Sequence, residues 1–173
     1  MVMIFRYGGW LIAFNLLFAI LVWLTMYFPG LDLLASLAFV FILVWFSRCL
    51  GRMNFIPEEI SKENDISDHL LTAEKSDCQR SLSIIAISII GQSPGLVAEG
   101  LAIWNWIHFG PFTSNYDFVL QMWHTPWVPF LSLLPSWTLE GFAVSFLSLY
   151  LLSPVIILFM VILAFACQTR KGL

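Results

Sequence analysis

Residues 10–28 read WLIAFNLLFAILVWLTMYF, a run in which only Asn15 and Thr25 are polar. An α-helix rises about 1.5 Å per residue, so this stretch is long enough to cross the roughly 30 Å hydrocarbon layer of a bilayer. It is longer and more uniform than the apolar region of a signal peptide, and no clear cleavage site follows it. We therefore expect a retained membrane-spanning helix over residues 10–28.

The composition of the whole chain is that of an integral membrane protein. Of the 173 residues, 60% are hydrophobic and 11% are charged, whereas soluble domains are about 45–50% apolar and about 25% charged. This balance excludes a soluble globular domain, a coiled coil and a disordered chain. The eight Lys and Arg residues and the net charge of −3 also exclude a basic groove for nucleic acid.

Three further apolar stretches predict three more spanning helices, at residues 33–50, 82–107 and 141–167. Pro29 and Gly30 should end the first helix, and the connection to the second is short, so these two spans should form an antiparallel hairpin. The predicted fold is an all-α integral membrane protein with four transmembrane helices in a single domain, residues 1–173.

Prolines predict irregularities in the third and fourth spans. The third span contains the sequence GQSPG at residues 91–95. Pro94 lacks an amide donor and leaves the carbonyl of Ile90 free, so we expect this helix to be broken there. Pro154 lies near the middle of the fourth expected span and predicts a kink.

An aromatic and proline-rich segment, residues 105–139, separates the third and fourth spans. Its four prolines argue against a straight crossing, and Trp prefers the headgroup level of a membrane. The segment is therefore expected to be interfacial or shallowly re-entrant, two alternatives that the sequence leaves open. The expected aromatic belt at the outer surface comprises Trp104, Trp106, Trp123, Trp127 and Trp137.

The basic residues occupy only one set of connections. All eight lie before the first span, in the loop of residues 48–80, or after the last span: Arg6, Arg48, Arg52, Lys62, Lys75, Arg80, Arg170 and Lys171. Basic connections stay on the cytoplasmic side. We therefore expect both termini and the 48–80 loop to be cytoplasmic, with a bacterial inner membrane as the location.

Glu99 is the first candidate for a functional residue. A carboxylate inside a spanning helix is costly and often marks a functional site. Together with Gln92 and Ser93 of the expected break, it forms a candidate ion or substrate site, because broken helices expose backbone groups to ligands.

His108 and His124, with nearby acids including Glu140, are weak candidates for metal ligands. The spacing of the two histidines matches no compact metal-binding motif, so neither a metal site nor a cofactor is expected.

No sequence motif for catalysis is present, and the chain is not expected to be an enzyme. The leading hypothesis is a non-catalytic subunit or accessory factor of a larger membrane assembly, such as a secretion, conjugation or envelope complex. The alternative is a small oligomeric transporter or channel that uses the broken third helix and Glu99. A membrane enzyme acting on lipid through Glu99, Glu140 and the histidines is the third hypothesis. The expected partners are the lipid bilayer and another membrane protein or further copies of the chain.

Overall fold

A computed structural model describes residues 2–28, 30–52, 69–110, 115–135, 137–139 and 142–169. The long helices are α1 (Val2–Thr25), α2 (Leu31–Arg52), α3 (His69–Phe109) and α7 (Leu152–Thr169). Between α3 and α7 lie α4 (Tyr116–His124), a 3₁₀ turn (Thr125–Trp127), α5 (Val128–Leu131), α6 (Val144–Ser148) and a second 3₁₀ turn (Leu149–Leu151). Strands β1 (Thr138–Leu139) and β2 (Phe142–Ala143) pair antiparallel, Thr138 opposite Ala143.

Among the described residues, four helical segments are long and apolar enough to cross a membrane, which confirms the predicted fold class. They are Val2–Thr25, Leu31–Arg52, Gln79–Phe109 and Leu149–Cys167. The shortest has 19 residues and spans about 28 Å at 1.5 Å per residue. The chain is therefore an integral membrane protein with four apolar crossings.

The first two helices form the expected hairpin. Gly30 has a φ of 88°, a left-handed conformation that glycine adopts without steric cost. The amide of Leu31 donates to the carbonyl of Phe28 at 3.1 Å and closes the turn. Along the hairpin, the ring of Phe18 contacts that of Phe39, with centroids 5.5 Å apart. The first helix begins at Val2 rather than at residue 10, so the charged Arg6 lies in its first turns.

The expected break in the third span is wrong, because helix α3 is continuous through residues 91–95. Pro94 removes one amide donor, but the hydroxyl of Ser93 donates to the carbonyl of Ile90 at 2.8 Å. Ile90 is the residue whose carbonyl Pro94 leaves free. Because the side chain replaces the missing backbone bond, the helix passes through this position without interruption.

The fourth span begins later than expected. Strand β2, α6 and a 3₁₀ turn occupy residues 142–151, and α7 starts at Leu152. Pro154 consequently lies in the first turn of α7 rather than in its middle. The first amides of an α-helix have no partner within it, so proline is tolerated at this position.

The segment of residues 105–139 enters the bundle. Helix α4 packs against α3 and α1, and the 3₁₀ turn at Thr125–Trp127 packs against α1 and α2. The side chains that this segment buries are Leu120, Trp123, His124, Pro126 and Pro129. The segment therefore packs against the helical bundle, and its depth in the membrane, interfacial or re-entrant, stays a prediction.

The five tryptophans of the expected belt separate into two groups. Trp104 and Trp137 are 53% and 69% exposed, and Trp106 is half-buried. Trp123 is buried, and the ring of Trp127 lies edge-on to Phe39, 5.7 Å away. Trp123 and Trp127 therefore pack against the bundle, unlike the exposed Trp104 and Trp137, and the belt itself stays a prediction.

One end of the bundle is defined by contacts among α2, α3 and α7. The guanidinium of Arg80 donates to the carbonyl of Gly51. Gly51 also lies so close to α7 that a side chain there would overlap the backbone of Ala164. We call this the Arg80 end. The adjoining apolar cluster, here the inner cluster, consists of Leu11, Leu43, Phe46, Leu50, Ile84, Ile87, Ile156, Met160 and Ala164.

Candidate functional site

Glu99 lies inside the protein, where three separate elements meet. Its side chain belongs to α3, and its contacts come from His124 at the end of α4 and Ser153 in the first turn of α7. Glu99 is 3% exposed, and both His124 and Ser153 are fully buried. We call these three residues the Glu99 cluster.

A single carboxylate oxygen holds the cluster together. His124 Nε2 lies 3.1 Å from Glu99 Oε1, and the backbone amide of Ser153 donates to the same oxygen at 2.8 Å. The hydroxyl of Ser153 is 3.4 Å from His124 Nε2, at the long end of the hydrogen-bond range. When Glu99 is a carboxylate and the imidazole is neutral, a hydrogen bond between them requires the ring proton on Nε2, which leaves Nδ1 as an acceptor.

The start of α7 supplies the backbone donor for a physical reason. Amides in the first turn of a helix have no acceptor in the helix itself, and a helix N-terminus favours negative charge. Ser153 directs such an amide at Glu99, and the next residue, Pro154, has no amide to satisfy. The sequence Ser153-Pro154 therefore fits a site at which a carboxylate approaches a helix end.

Gly95 allows the three elements to come together. A Cβ at this position would overlap the hydroxyl of Ser153 and the indole of Trp123. Gly91, one turn earlier on the same helix, similarly allows close approach of Leu11 from α1. The two glycines therefore serve helix packing rather than a break in α3, as is usual for small residues four apart in membrane helices.

Gln92 extends the polar contacts along the same face of α3. Residues 92, 95 and 99 share this face because they are three, four and seven positions apart. The indole Nε1 of Trp123 donates to Gln92 Oε1 at 3.3 Å, and Gln92 is 1% exposed. Trp123 and His124 are adjacent in α4, so α4 contributes two consecutive buried contacts to α3.

A second apolar cluster, here the outer cluster, covers the opposite side of the site. It consists of Ala98, Ala102, Leu120, Leu149 and Tyr150. Within it, the hydroxyl of Tyr150 donates to Asp117 Oδ1 at 2.6 Å. This bond fastens the beginning of α4 to the 3₁₀ turn that precedes α7. The Glu99 cluster thus lies between the inner and outer clusters.

The structure brings together some of the residues that the sequence singled out and separates others. Glu99 and Gln92 both take part in the buried contacts. Ser93 faces its own helix backbone instead, where it bonds to Ile90. His124 is the partner of Glu99, whereas His108 is exposed and stacks on Trp104, with centroids 4.5 Å apart.

No group of three His, Cys, Asp or Glu side chains suited to a metal occurs in the part of the chain that the structure describes. Glu140, another candidate, lies outside the described residues. Sequence reasoning missed Ser153 and Trp123 as partners in the site. The sequence signal for Ser153 is a Ser-Pro pair at a helix start, a pattern that also predicts a kink.

The geometry differs from that of a serine hydrolase. In a catalytic triad the acid contacts one imidazole nitrogen and the serine contacts the other. Here Glu99 and Ser153 both face Nε2 of His124. His124 Nδ1 has no hydrogen-bond partner among the residues that the structure describes. The cluster therefore places a carboxylate, a backbone amide and a serine hydroxyl around one imidazole nitrogen and leaves the other nitrogen unpartnered among the described residues.

Comparison of the chain with models of protein families, with curated proteins and with solved structures gives no match in any of the three.

Proposed function

We propose that this protein transfers protons within the membrane, as part of proton-coupled transport, and that Glu99 and His124 form its proton site. The observation that supports the proposal is their direct contact, 3.1 Å, between two fully enclosed side chains of a membrane bundle. Ionisable groups inside a membrane are expensive to bury and commonly lie on ion or proton routes.

The exchange we propose involves a single proton. With Glu99 as a carboxylate and His124 carrying its proton on Nε2, the pair has a net charge of −1. A proton that binds at Nδ1, the nitrogen without a partner, makes the pair neutral overall, as imidazolium and carboxylate. Loss of that proton restores the starting state. The Ser153 amide stabilises the carboxylate in both states.

The arrangement of apolar clusters supports an occluded state of such a transporter. The inner and outer clusters lie on either side of the Glu99 cluster. Release of a proton to either side then requires one cluster to open. In this proposal helix α4 moves, because it carries His124. The Asp117–Tyr150 and Trp123–Gln92 hydrogen bonds hold α4 in the occluded state and break when it moves.

Proton flux into liposomes tests the proposal. The purified protein is reconstituted with an internal pH-sensitive dye, and a potassium diffusion potential drives protons inward. We expect Glu99→Gln and His124→Gln both to lower the flux about tenfold or more. His124→Gln removes the group that carries the proton, and Glu99→Gln removes the carboxylate that stabilises the buried imidazolium. His108→Gln is the matched control and should retain the wild-type flux, since His108 lies outside the cluster. Normal flux in Glu99→Gln would contradict the proposal.

We also propose that the chain works as a subunit or accessory factor of a larger assembly in a bacterial inner membrane, with both termini cytoplasmic. A shallow apolar depression of about 340 Å³ supports the first part, because it offers a partner helix a concave surface; its lining residues are Ile103, Trp106, Ile107, Leu147, Tyr150 and Leu151. The distribution of Lys and Arg supports the orientation. Co-purification of other membrane proteins in mild detergent is expected, and a homogeneous species that contains this chain alone would contradict the assembly.

A further inference from the structure

Asn15 is a buried polar residue that the Glu99 cluster does not explain. It lies in the middle of α1 and is 1% exposed. Neither its amide nitrogen nor its carbonyl oxygen has a hydrogen-bond partner among the residues that the structure describes. A buried amide without partners costs roughly 1–3 kcal/mol per unsatisfied group, so its presence in a membrane helix calls for a ligand.

The side chain of Asn15 lines a small cavity that Gln92 also lines. The cavity has a volume of about 10 Å³, which is close to the lower limit for one water molecule. Its other walls are apolar: Leu11, Phe14, Phe39, Ile42, Leu43 and Phe46. Two carboxamides in an apolar enclosure of this size provide the donors and acceptors that a single bound water needs.

The position of this cavity relates it to the proton site. Gln92 precedes Glu99 by seven residues on α3, and the cavity therefore lies about 10 Å from the Glu99 cluster, toward the Arg80 end. The inner cluster begins at the cavity itself, because Leu11, Leu43 and Phe46 belong to both. Between the cavity and His124 lies the Trp123–Gln92 hydrogen bond.

We propose that the Asn15–Gln92 cavity binds a water molecule and that this water is the next station for protons on the Arg80 side of the Glu99–His124 pair. The inference rests on the proposed function for its role in proton transfer, but the water site stands on the cavity and the unpartnered amide alone. Proton passage between this water and His124 would then require the Trp123–Gln92 hydrogen bond to break and further water to enter the intervening distance of about 10 Å.

Nuclear magnetic resonance tests the water site without reference to transport. The protein is labelled with ¹⁵N at asparagine side chains and studied in detergent micelles, and the Asn15 signal is identified by its loss in Asn15→Leu. We expect magnetisation transfer from water to the Asn15 side-chain amide, despite its burial. If Asn15→Leu does not fold, Asn15→Ser serves for the assignment, because it keeps a polar group in the cavity. Absence of transfer would overturn the water site.

Proton flux in liposomes tests the role of that water. Asn15→Leu fills the cavity with apolar atoms and should lower the flux about tenfold. Ser47→Ala is the control, since Ser47 is also buried but bonds to the carbonyl of Leu43 in its own helix. If the wild type shows magnetisation transfer from water to Asn15 but Asn15→Leu retains the wild-type flux, the role of this water in proton transfer is overturned. Absence of flux in the wild type would contradict the proposed function, while the magnetic resonance result would still decide whether water binds.

Discussion

At the scale of single residues, the buried site depends on atoms that come from distant parts of the chain. One oxygen of Glu99 accepts from Ser153, 54 positions away, and contacts His124, 25 positions away. Glu99 and Gln92 could be singled out from the sequence because a polar residue in an apolar helix is a local signal. Their partners could not be identified in this way, because the contacts exist only once α3, α4 and α7 have packed.

Gly95 provides a sharp test of this packing. We expect Gly95→Ala to lower the free energy of unfolding by about 1–3 kcal/mol, because the added methyl overlaps the Ser153 hydroxyl and the Trp123 indole. Gly100→Ala, in the same helix, has open space around the added methyl. It should be neutral or stabilise by about 0.5–1 kcal/mol through helix propensity alone. Thermal unfolding in detergent compares the two, and a stabilised Gly95→Ala would refute the packing.

At the scale of elements, helix existence was predictable and helix detail was not. Hydropathy is a property of neighbouring residues, so four spans were recoverable from the sequence. The continuity of α3 depends on one side-chain hydrogen bond, from Ser93 to the carbonyl of Ile90, which Pro94 leaves free. The position of Pro154 depends on where α7 begins, since a start at Leu152 puts this proline in the first turn. A proline alone does not reveal which of these outcomes the fold adopts. The packing of α4 against α3 and α1 similarly depends on tertiary contacts rather than on composition.

The hydrogen bond between Ser93 and Ile90 explains the continuity of α3, and this explanation can be tested. Ser93→Ala should lower the free energy of unfolding by about 1–2 kcal/mol, because the Ile90 carbonyl loses its donor. In a Pro94→Ala background, residue 94 regains an amide that can donate to Ile90, so the same Ser93→Ala change should cost only a few tenths of a kcal/mol. Equal costs in both backgrounds, measured by denaturation in detergent, would show that Ser93 does not replace the missing bond.

At the scale of the whole molecule, the four crossings place both ends of the described chain on one side of the membrane. The contacts among Gly51, Arg80 and Ala164 mark that side, and the turn at Gly30 lies on the other. A membrane-facing surface of large apolar side chains surrounds the bundle. Its interior, by contrast, holds the buried polar side chains of Asn15, Gln92, Glu99 and His124. Polar groups are therefore concentrated where they are most costly, and this pattern supports the proposed proton transfer.

This arrangement predicts opposite accessibility for the two ends of the α2 region. In a background without the native cysteines, single cysteines are introduced as Tyr27→Cys, in the exposed turn before α2, and Arg52→Cys, at the exposed end of α2. Helix α2 has 22 residues and separates these positions by about 33 Å. An impermeant thiol reagent should label Tyr27→Cys in right-side-out vesicles and Arg52→Cys in inverted ones, because the basic residues near Arg52 favour the cytoplasmic side. Labelling of both from one side would contradict the crossing of α2, whereas an exchanged pattern would retain the crossing and reverse the proposed orientation.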